Sequence, residues 1–275
     1  MIDCHTHIGR NENISGSVTQ LLKSMDEAGI EKSLVFANKI GDASNEYMLE
    51  QIAPHKDRLY GVAAVHPTHP KRSEYNNKEW IQYHTSVGDS ITRWYQENKI
   101  VAVKFYTGYD HYYPSDFEAR VYLNVLNKIG CAAIFHSGDC HSSCSKKAKL
   151  KYAHPLHIDD VAVDYPGINF VIAHMGFPWV RDAAQVCYKN SNVYADISGF
   201  VYGEFTPQDV EKFGKCLDEF CDIAPWEKLL FGTDWPISNQ KSYVTSIWGK
   251  DDVQQLYSVD KRERMDATAK KVFKL

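Results

Sequence analysis

No run in this chain approaches the roughly 20 consecutive apolar residues that span a bilayer as a helix, so no membrane-spanning helix is expected. No secretory leader is expected either, because Met1 leads straight into a short apolar run that carries histidines, and a cytoplasmic location is expected. Long basic tracts are absent. The formal net charge is −4, and the densest lysine cluster, Lys146, Lys147, Lys149 and Lys151, reads as a solvated face; no nucleic-acid partner is expected. The 7 cysteines are odd in number and scattered, the pattern of reduced thiols rather than of a disulfide framework. Cys140-His141-Ser142-Ser143-Cys144 has no second pair to complete a structural metal site. Asn13-Ile14-Ser15 matches a glycosylation sequon that has no consequence without secretion. There is no linker and no low-complexity segment, and His7-Ile8-Gly9-Arg10 is not the Gly-rich phosphate loop of an open doubly wound sheet.

What is present is a regular alternation. At 275 residues, 44% hydrophobic and 24% charged, the chain can bury one large core. Short β-branched or apolar runs fall at Met1–Cys4, Lys32–Ala37, Leu59–Val65, Ile100–Phe105, Cys131–Phe135, Ile168–Ala173, Asn192–Ala195 and Lys228–Phe231. Amphipathic stretches lie between them, among them Ser17–Ala28, Asn45–Ala53, Lys78–Asn98, Ser115–Ile129, His157–Tyr165, Val180–Tyr188 and Pro207–Ile223. Strand then helix, eight times over, implies parallel strands joined by right-handed crossovers. The expected fold is α/β, a (β/α)8 TIM barrel forming a single domain over residues 1–275.

The chemistry-bearing residues recur at the carboxyl ends of those runs. Asp3-Cys4-His5-Thr6-His7 sets two imidazoles two residues apart, on one side of a strand, with Asp3 behind them. Two neutral imidazoles on a rigid element make half of a first-row metal site. Lys104 ends the fourth run, His136 the fifth and His174 the sixth, and Asp234 follows the eighth. In a barrel those ends converge on one mouth. A buried charge is costly unless paired or metal-bound, and so many at matching positions point to a metal-centred active site. His66, His69 and His111 read as satisfied polar groups or loop residues. Asp196 and Ser198 either reach the mouth or cap the next segment; Asp139 either supports His136 or shapes a loop; Arg10 either holds a substrate anion or pairs at the surface.

With those residues placed, the chain resembles the amidohydrolase superfamily, in its amidohydrolase-2 group of metal-dependent hydrolases and decarboxylases. The resemblance rests on Ile2-Asp3-Cys4-His5-Thr6-His7, Phe135-His136-Ser137-Gly138-Asp139, Ile172-Ala173-His174-Met175-Gly176, Asn192 to Gly199, and Leu230-Phe231-Gly232-Thr233-Asp234-Trp235-Pro236, with Asp266 to Phe273 like the group's C-terminal helix. It implies that His5, His7, His136 and Asp234 bind a divalent metal, with zinc favoured and one ion favoured over two. His174 would lie beside the metal-bound water or substrate, or act as a ligand if two ions bind. Lys104 stands where two-metal members carry a carboxylated lysine, or acts as a cation that orients a substrate carboxylate. Assembly into dimers or larger oligomers also enters by resemblance only.

The expected activity is hydrolysis of an amide, ester or lactone of a small molecule. Asp234 would act as general acid–base, His174 would hydrogen-bond the nucleophile or oxyanion, and Asp3 would accept from donors of the barrel core. One alternative is non-oxidative decarboxylation of an aromatic or unsaturated acid, for which Tyr106, Tyr109, Phe177, Trp179, Tyr202 and Trp235 would suit a flat substrate. Another is a metal-binding barrel without turnover.

Overall fold

The protein is described by a computed structural model that covers residues 1–10, 15–37, 44–70, 73, 76–140, 146–249 and 259–275. His141 to Cys144, Asn13 and Ile14, and the side chain of Arg10 lie outside the described residues.

Eight parallel strands build the barrel: β1 (Ile2–His7), β2 (Lys32–Phe36), β3 (Leu59–Val65), β4 (Ile100–Phe105), β5 (Ala132–Phe135), β6 (Phe170–Ile172), β7 (Val193–Asp196) and β8 (Leu229–Leu230). They pair in sequence order. The segment after β8 returns to β1 through Cys4 N–H to Phe231 O at 2.8 Å, Asp234 N–H to His5 O at 2.8 Å and His7 N–H to Trp235 O at 2.7 Å. These bonds bring the two ends of the sheet together and tether Asp234 to the metal-motif strand. Among the described residues the helices are α1 (Val18–Ala28), α2 (Asn45–Ile52), α3 (Asn77–Gln96), α4 (Phe117–Ile129), α5 (His157–Asp164), α6 (Val180–Lys189), α7 (Pro207–Cys221), α8 (Gln240–Trp248) and α9 (Val259–Phe273). None is long and apolar enough to cross a membrane.

Local chemistry fixes the helix starts. Ser17 with Gln20, Asn76 with Glu79 and Thr206 with Asp209 each form a reciprocal capping box, which satisfies amide donors the first turn leaves open.

The barrel interior is filled by alternate residues of each strand. Leu34 and Phe36, Val62, Ala102, Ile134, Val171, Tyr194 and Leu230 belong to one buried cluster. Ala269, Val272 and Phe273 of α9 join it and seal the end opposite the mouth. The first strand departs from simple alternation. Its register against β2 runs Asp3 to Ser33 and then Thr6 to Val35, so β1 carries one extra residue, a β-bulge. Ile2 and Cys4 point into the barrel before the bulge. His5 does so after it, stacked on Phe36 with ring centroids 4.2 Å apart. Asp3, before this phase change, lies off the histidine face and accepts from Thr233 and Gln240. The first strand also runs three residues past the apolar run, to His7. The bulge and the cross-barrel hydrogen bonds hold the polar tail extended.

Candidate metal centre at the barrel mouth

His5 is buried, and its two nitrogens have separate partners. Nδ1 lies 3.0 Å from Asp196 Oδ2 and 3.0 Å from Ser198 Oγ. A carboxylate only accepts, so Nδ1 carries the proton and the Nε2 lone pair is free to bind a cation. That Nε2 stands 3.7 Å from Asp234 Oδ1, and His7 Nε2 stands 3.1 Å from the same oxygen. Neither approach is aligned as a hydrogen bond: Asp234 Oδ1 and His7 Nδ1 are buried without a hydrogen-bond partner. Two imidazole nitrogens and a carboxylate oxygen converging on a point, rather than bonding one another, form a donor set suited to a divalent cation. His5, His7 and Asp234 form such a group among the described residues.

A second grouping, His5, His174 and Asp196, has a different character. Asp196 Oδ1 accepts from the backbone N–H of His174 at 3.0 Å, from that of Ser198 at 3.1 Å and from Ser198 Oγ at 2.5 Å, while Oδ2 takes His5. Its carboxylate is thus saturated by donors. It orients imidazoles rather than offering a ligand atom.

His174 leaves the expected strand geometry. β6 ends at Ile172, and His174 and Met175 adopt left-handed backbone with φ of 60° and 48°. Its Nδ1 lies 3.1 Å from Ser198 O. A carbonyl accepts only, so Nδ1 is protonated and Nε2 is left as an acceptor. Gly199 is required beside it: with φ +70°, a Cβ there would come 2.6 Å from His174 Nδ1 and 3.1 Å from Asp234 Oδ2. His136 ends β5, with Nε2 3.0 Å from Asp139 O. The same reasoning leaves Nδ1 as its available nitrogen. The ring lies 5.1 Å from that of His174, centroid to centroid; it falls outside the close group made by His5, His7 and Asp234.

Electrostatics keep these imidazoles neutral. Burial, with the Lys104 charge adding to it, pushes His5 down to about 3 against the pull of Asp196 and Asp234. Burial, His174 and Lys104 hold His136 well below the usual imidazole range, and burial lowers His174. Neutral imidazole is the form that binds a cation. Burial opposes ionisation of Asp196 and Asp234, yet the surrounding imidazoles outweigh it and hold both carboxyls below their ordinary range. Lys104 is fully buried, and its Nζ has no hydrogen-bond partner. It sits 5.3 Å from the Phe36 ring centroid and 5.6 Å from that of Tyr106. Burial pulls it down to about 8, although Asp196 and Asp234 resist.

Above these donors lies a cavity of about 190 Å³ lined by Tyr109, His136, His174, Met175, Phe177, Phe200, Tyr202 and Asp234. Its size suits a ligand smaller than those filling typical sites of ~300–1,000 Å³. Of the aromatic residues expected there, Tyr109, Phe177 and Tyr202 line it. Trp179 packs on His154, with centroids 4.6 Å apart. Tyr106 donates to Ala37 O at 2.7 Å. A larger cleft between α3 and α4 has no converging donor set among its described residues.

The parts that sequence reasoning left open are Asp196 and Ser198, and Gln240 went unnoticed. The Asp-Ile-Ser-Gly run after an apolar strand was the available signal for the first two. Gln240 donates to Asp3 Oδ2 at 2.8 Å, and the same carboxylate accepts Thr233 Oγ1 at 2.7 Å and the backbone N–H groups of His5 and Thr233 at 3.1 Å each. Asp3 therefore ties β1 to the loop that presents Asp234.

The chain is 25% identical over 111 residues to Protein fluG of Emericella nidulans, a match covering 39% of this chain and spanning 12% of that relative. It is 23% identical over 261 residues to a gamma-resorcylate decarboxylase of Polaromonas sp., covering 79% of this chain and 76% of the relative. Among solved structures it resembles a probable 2-pyrone-4,6-dicarboxylic acid hydrolase of Acinetobacter baumannii with citric acid bound (TM-score 0.70, 17% identity, 100% of this chain and 99% of the other). It also resembles an amidohydrolase of Burkholderia multivorans with bound zinc (TM-score 0.71, 15% identity, 100% and 99%). A third is a dihydroxybenzoic acid decarboxylase of Polaromonas sp. with bound manganese and 2-nitroresorcinol (TM-score 0.69, 16% identity, 100% and 96%). These structural likenesses bear on the fold, a TIM barrel. The amidohydrolase family model matches residues 2–275, and the chain belongs to that family.

Proposed function

We propose that the protein is a metal-dependent hydrolase of a small-molecule amide, ester or lactone. The observation that carries this reading is Asp234 Oδ1, buried, without a hydrogen bond, and faced by the Nε2 atoms of His5 and His7. His5, His7 and Asp234 would hold one divalent cation, zinc or manganese, with His136 Nδ1 as the remaining donor. When bound, such a cation polarises a carbonyl and lowers the pKa of coordinated water from ~15.7 toward ~7. Asp234, whose carboxyl stays ionised, takes the proton of the attacking water and returns it to the leaving group, a role typically worth about 10²–10⁴-fold. His174 keeps Nε2 available to the substrate while Ser198 fixes its ring and Asp196 holds its backbone N–H. The buried Lys104 ammonium acts through its field and favours anionic groups in the cavity.

A second reading, decarboxylation of an aromatic acid, is favoured by the aromatic lining of the cavity and by the likeness to a gamma-resorcylate decarboxylase. The same residues would then clamp a hydroxyl and a carboxylate, and Asp234, once protonated, would deliver its proton to carbon. Both readings are tested by incubating zinc- and manganese-loaded protein with lactones, esters, amides and hydroxybenzoates. A new carboxylate supports hydrolysis, trapped carbon dioxide supports the second reading, and inertness toward all of them refutes both. Asp234→Asn at normal metal loading should abolish turnover. Retained turnover would remove Asp234 from the mechanism.

A further inference from the structure

A pair of residues beyond the metal centre lies past the carboxyl ends of β3 and β4. β3 sends Val62 into the barrel interior. Strand alternation then puts Ala64 and His66 on the same side, one step beyond the last residue of the strand. His66 Nδ1 lies 2.9 Å from Asp110 Oδ2. Asp110 is buried, at 3% exposure, and its oxygen only accepts. His66 therefore keeps its proton on Nδ1 and presents Nε2 outward, at 27% side-chain exposure. The ring is held flat on Tyr106, with centroids 5.8 Å apart and planes 16° apart. Tyr106 is itself pinned to Ala37 O, and the Lys104 ammonium stands over its ring. Both Asp234 and Asp110 bear on the Tyr106 phenol, so this ring bridges the metal centre and the His66–Asp110 pair.

The chemistry of the pair differs from that of the metal ligands. Those imidazoles are buried, whereas His66 is reachable, oriented by a buried carboxylate and left with one open nitrogen. Two inter-strand spacings separate it from β1 along the barrel wall, ~10 Å at the usual strand spacing. We propose that His66, oriented by Asp110, positions the substrate by accepting a hydrogen bond at Nε2 from a hydroxyl group at the end remote from the reacting carbonyl. This rests on the reading of the metal centre above and narrows the substrate class to small molecules polar at both ends. His66 is thus a positioning residue, and Asp110 acts through it.

The test uses ligand binding, so it is independent of turnover. Manganese-loaded full-length protein is titrated calorimetrically with 3-hydroxybenzoate, which carries a hydroxyl donor, and with benzoate, which lacks it. The wild type should bind 3-hydroxybenzoate about fivefold more tightly, the scale of one neutral hydrogen bond. His66→Phe and His66→Gln should lose that preference while keeping benzoate affinity within about twofold. Asp110→Asn, which frees the ring to turn, should lose part of it. In the unmutated protein, ¹⁵N-imidazole spectra should show the His66 Nε2 signal, assigned by its absence in His66→Gln, moving with 3-hydroxybenzoate and not with benzoate. Equal affinity of the wild type for both acids overturns the proposal. So do an unmoved Nε2 signal and equal loss of both ligands in the variants. Failure of the hydrolase reading would appear separately, as absent turnover with the binding preference intact.

Discussion

Replacing Asp196 by asparagine exchanges one oxygen for an amide nitrogen and should be read in metal affinity rather than in fold. Oδ1 receives three donors, the backbone N–H groups of His174 and Ser198 and the Ser198 hydroxyl. The amide oxygen must remain there, because turning the amide would set its NH2 against all three. The NH2 then faces His5 Nδ1, which now sits 3.0 Å from an acceptor. His5 must become an acceptor at Nδ1, and its proton moves to Nε2, the atom aimed at Asp234 Oδ1. Metal binding would require that tautomer to be reversed against a mismatched hydrogen bond. Changes of this kind behind a metal ligand typically cost 10–100-fold in affinity, about 1.4–2.8 kcal/mol. The assay is a competition titration of zinc against a chromophoric chelator at neutral pH, with stoichiometry from elemental analysis. The backbone contacts survive, so the far-ultraviolet spectrum should not change. Zinc affinity within about twofold of wild type, at one ion per chain, would refute the reasoning and show that Asp196 does not set the His5 tautomer.

Acid should destabilise the metal-free protein through histidines buried in neutral form. Burial pulls His84 down to about 4 and His5 to about 3, so below the ordinary value near 6.5 the unfolded chain takes up protons that the folded chain refuses. Their contribution is complete above pH ~6.5 and is lost as pH falls toward 4 and 3, ~2 kcal/mol from each by pH 5; denaturant midpoints that do not change between pH 7 and 5 would contradict this. Asp3→Ala strips four donors of their acceptor and should cost roughly 3–5 kcal/mol, lowering Tm by ~10 °C; calorimetry showing a drop below about 3 °C would mean that these donors find other partners. Lys104→Met removes a buried cation that lacks a hydrogen bond. Stability should hold or rise by ~1–2 kcal/mol and zinc should bind more tightly once the repulsion is gone; weaker zinc binding in the same titration would argue that Lys104 supports the site rather than opposing the cation.

The strand–helix alternation was legible because it depends on local periodicity and on turn residues, and six of the eight apolar runs match the observed strands to within a residue or so at each end. His5, His7 and Asp234 were legible as a set because each follows an apolar run, and in a closed barrel all such positions share one rim. The departures occur where distant chain segments override local pattern. Asp3 is two residues before His5, and strand period alone puts it on the histidine face; the bulge against β2 turns it toward Thr233 and Gln240. His174 reads as a strand terminus, yet its backbone turns left-handed, held by Asp196 from the next strand. Asp196 and Ser198 carried two equal readings in sequence, since a side chain does not announce its partner 191 or 193 residues away.

By itself the sequence determined the barrel and the residue types gathered at its mouth, because hydrophobic period and element order are local properties that survive without knowledge of contacts. Which nitrogen of each histidine keeps its lone pair, which carboxylate is left open and which is saturated, and the pairing of His66 with Asp110 were decided only by tertiary structure. Those outcomes turn on hydrogen bonds a few ångströms long between residues far apart in the chain, and such distances exist only once the strands have closed.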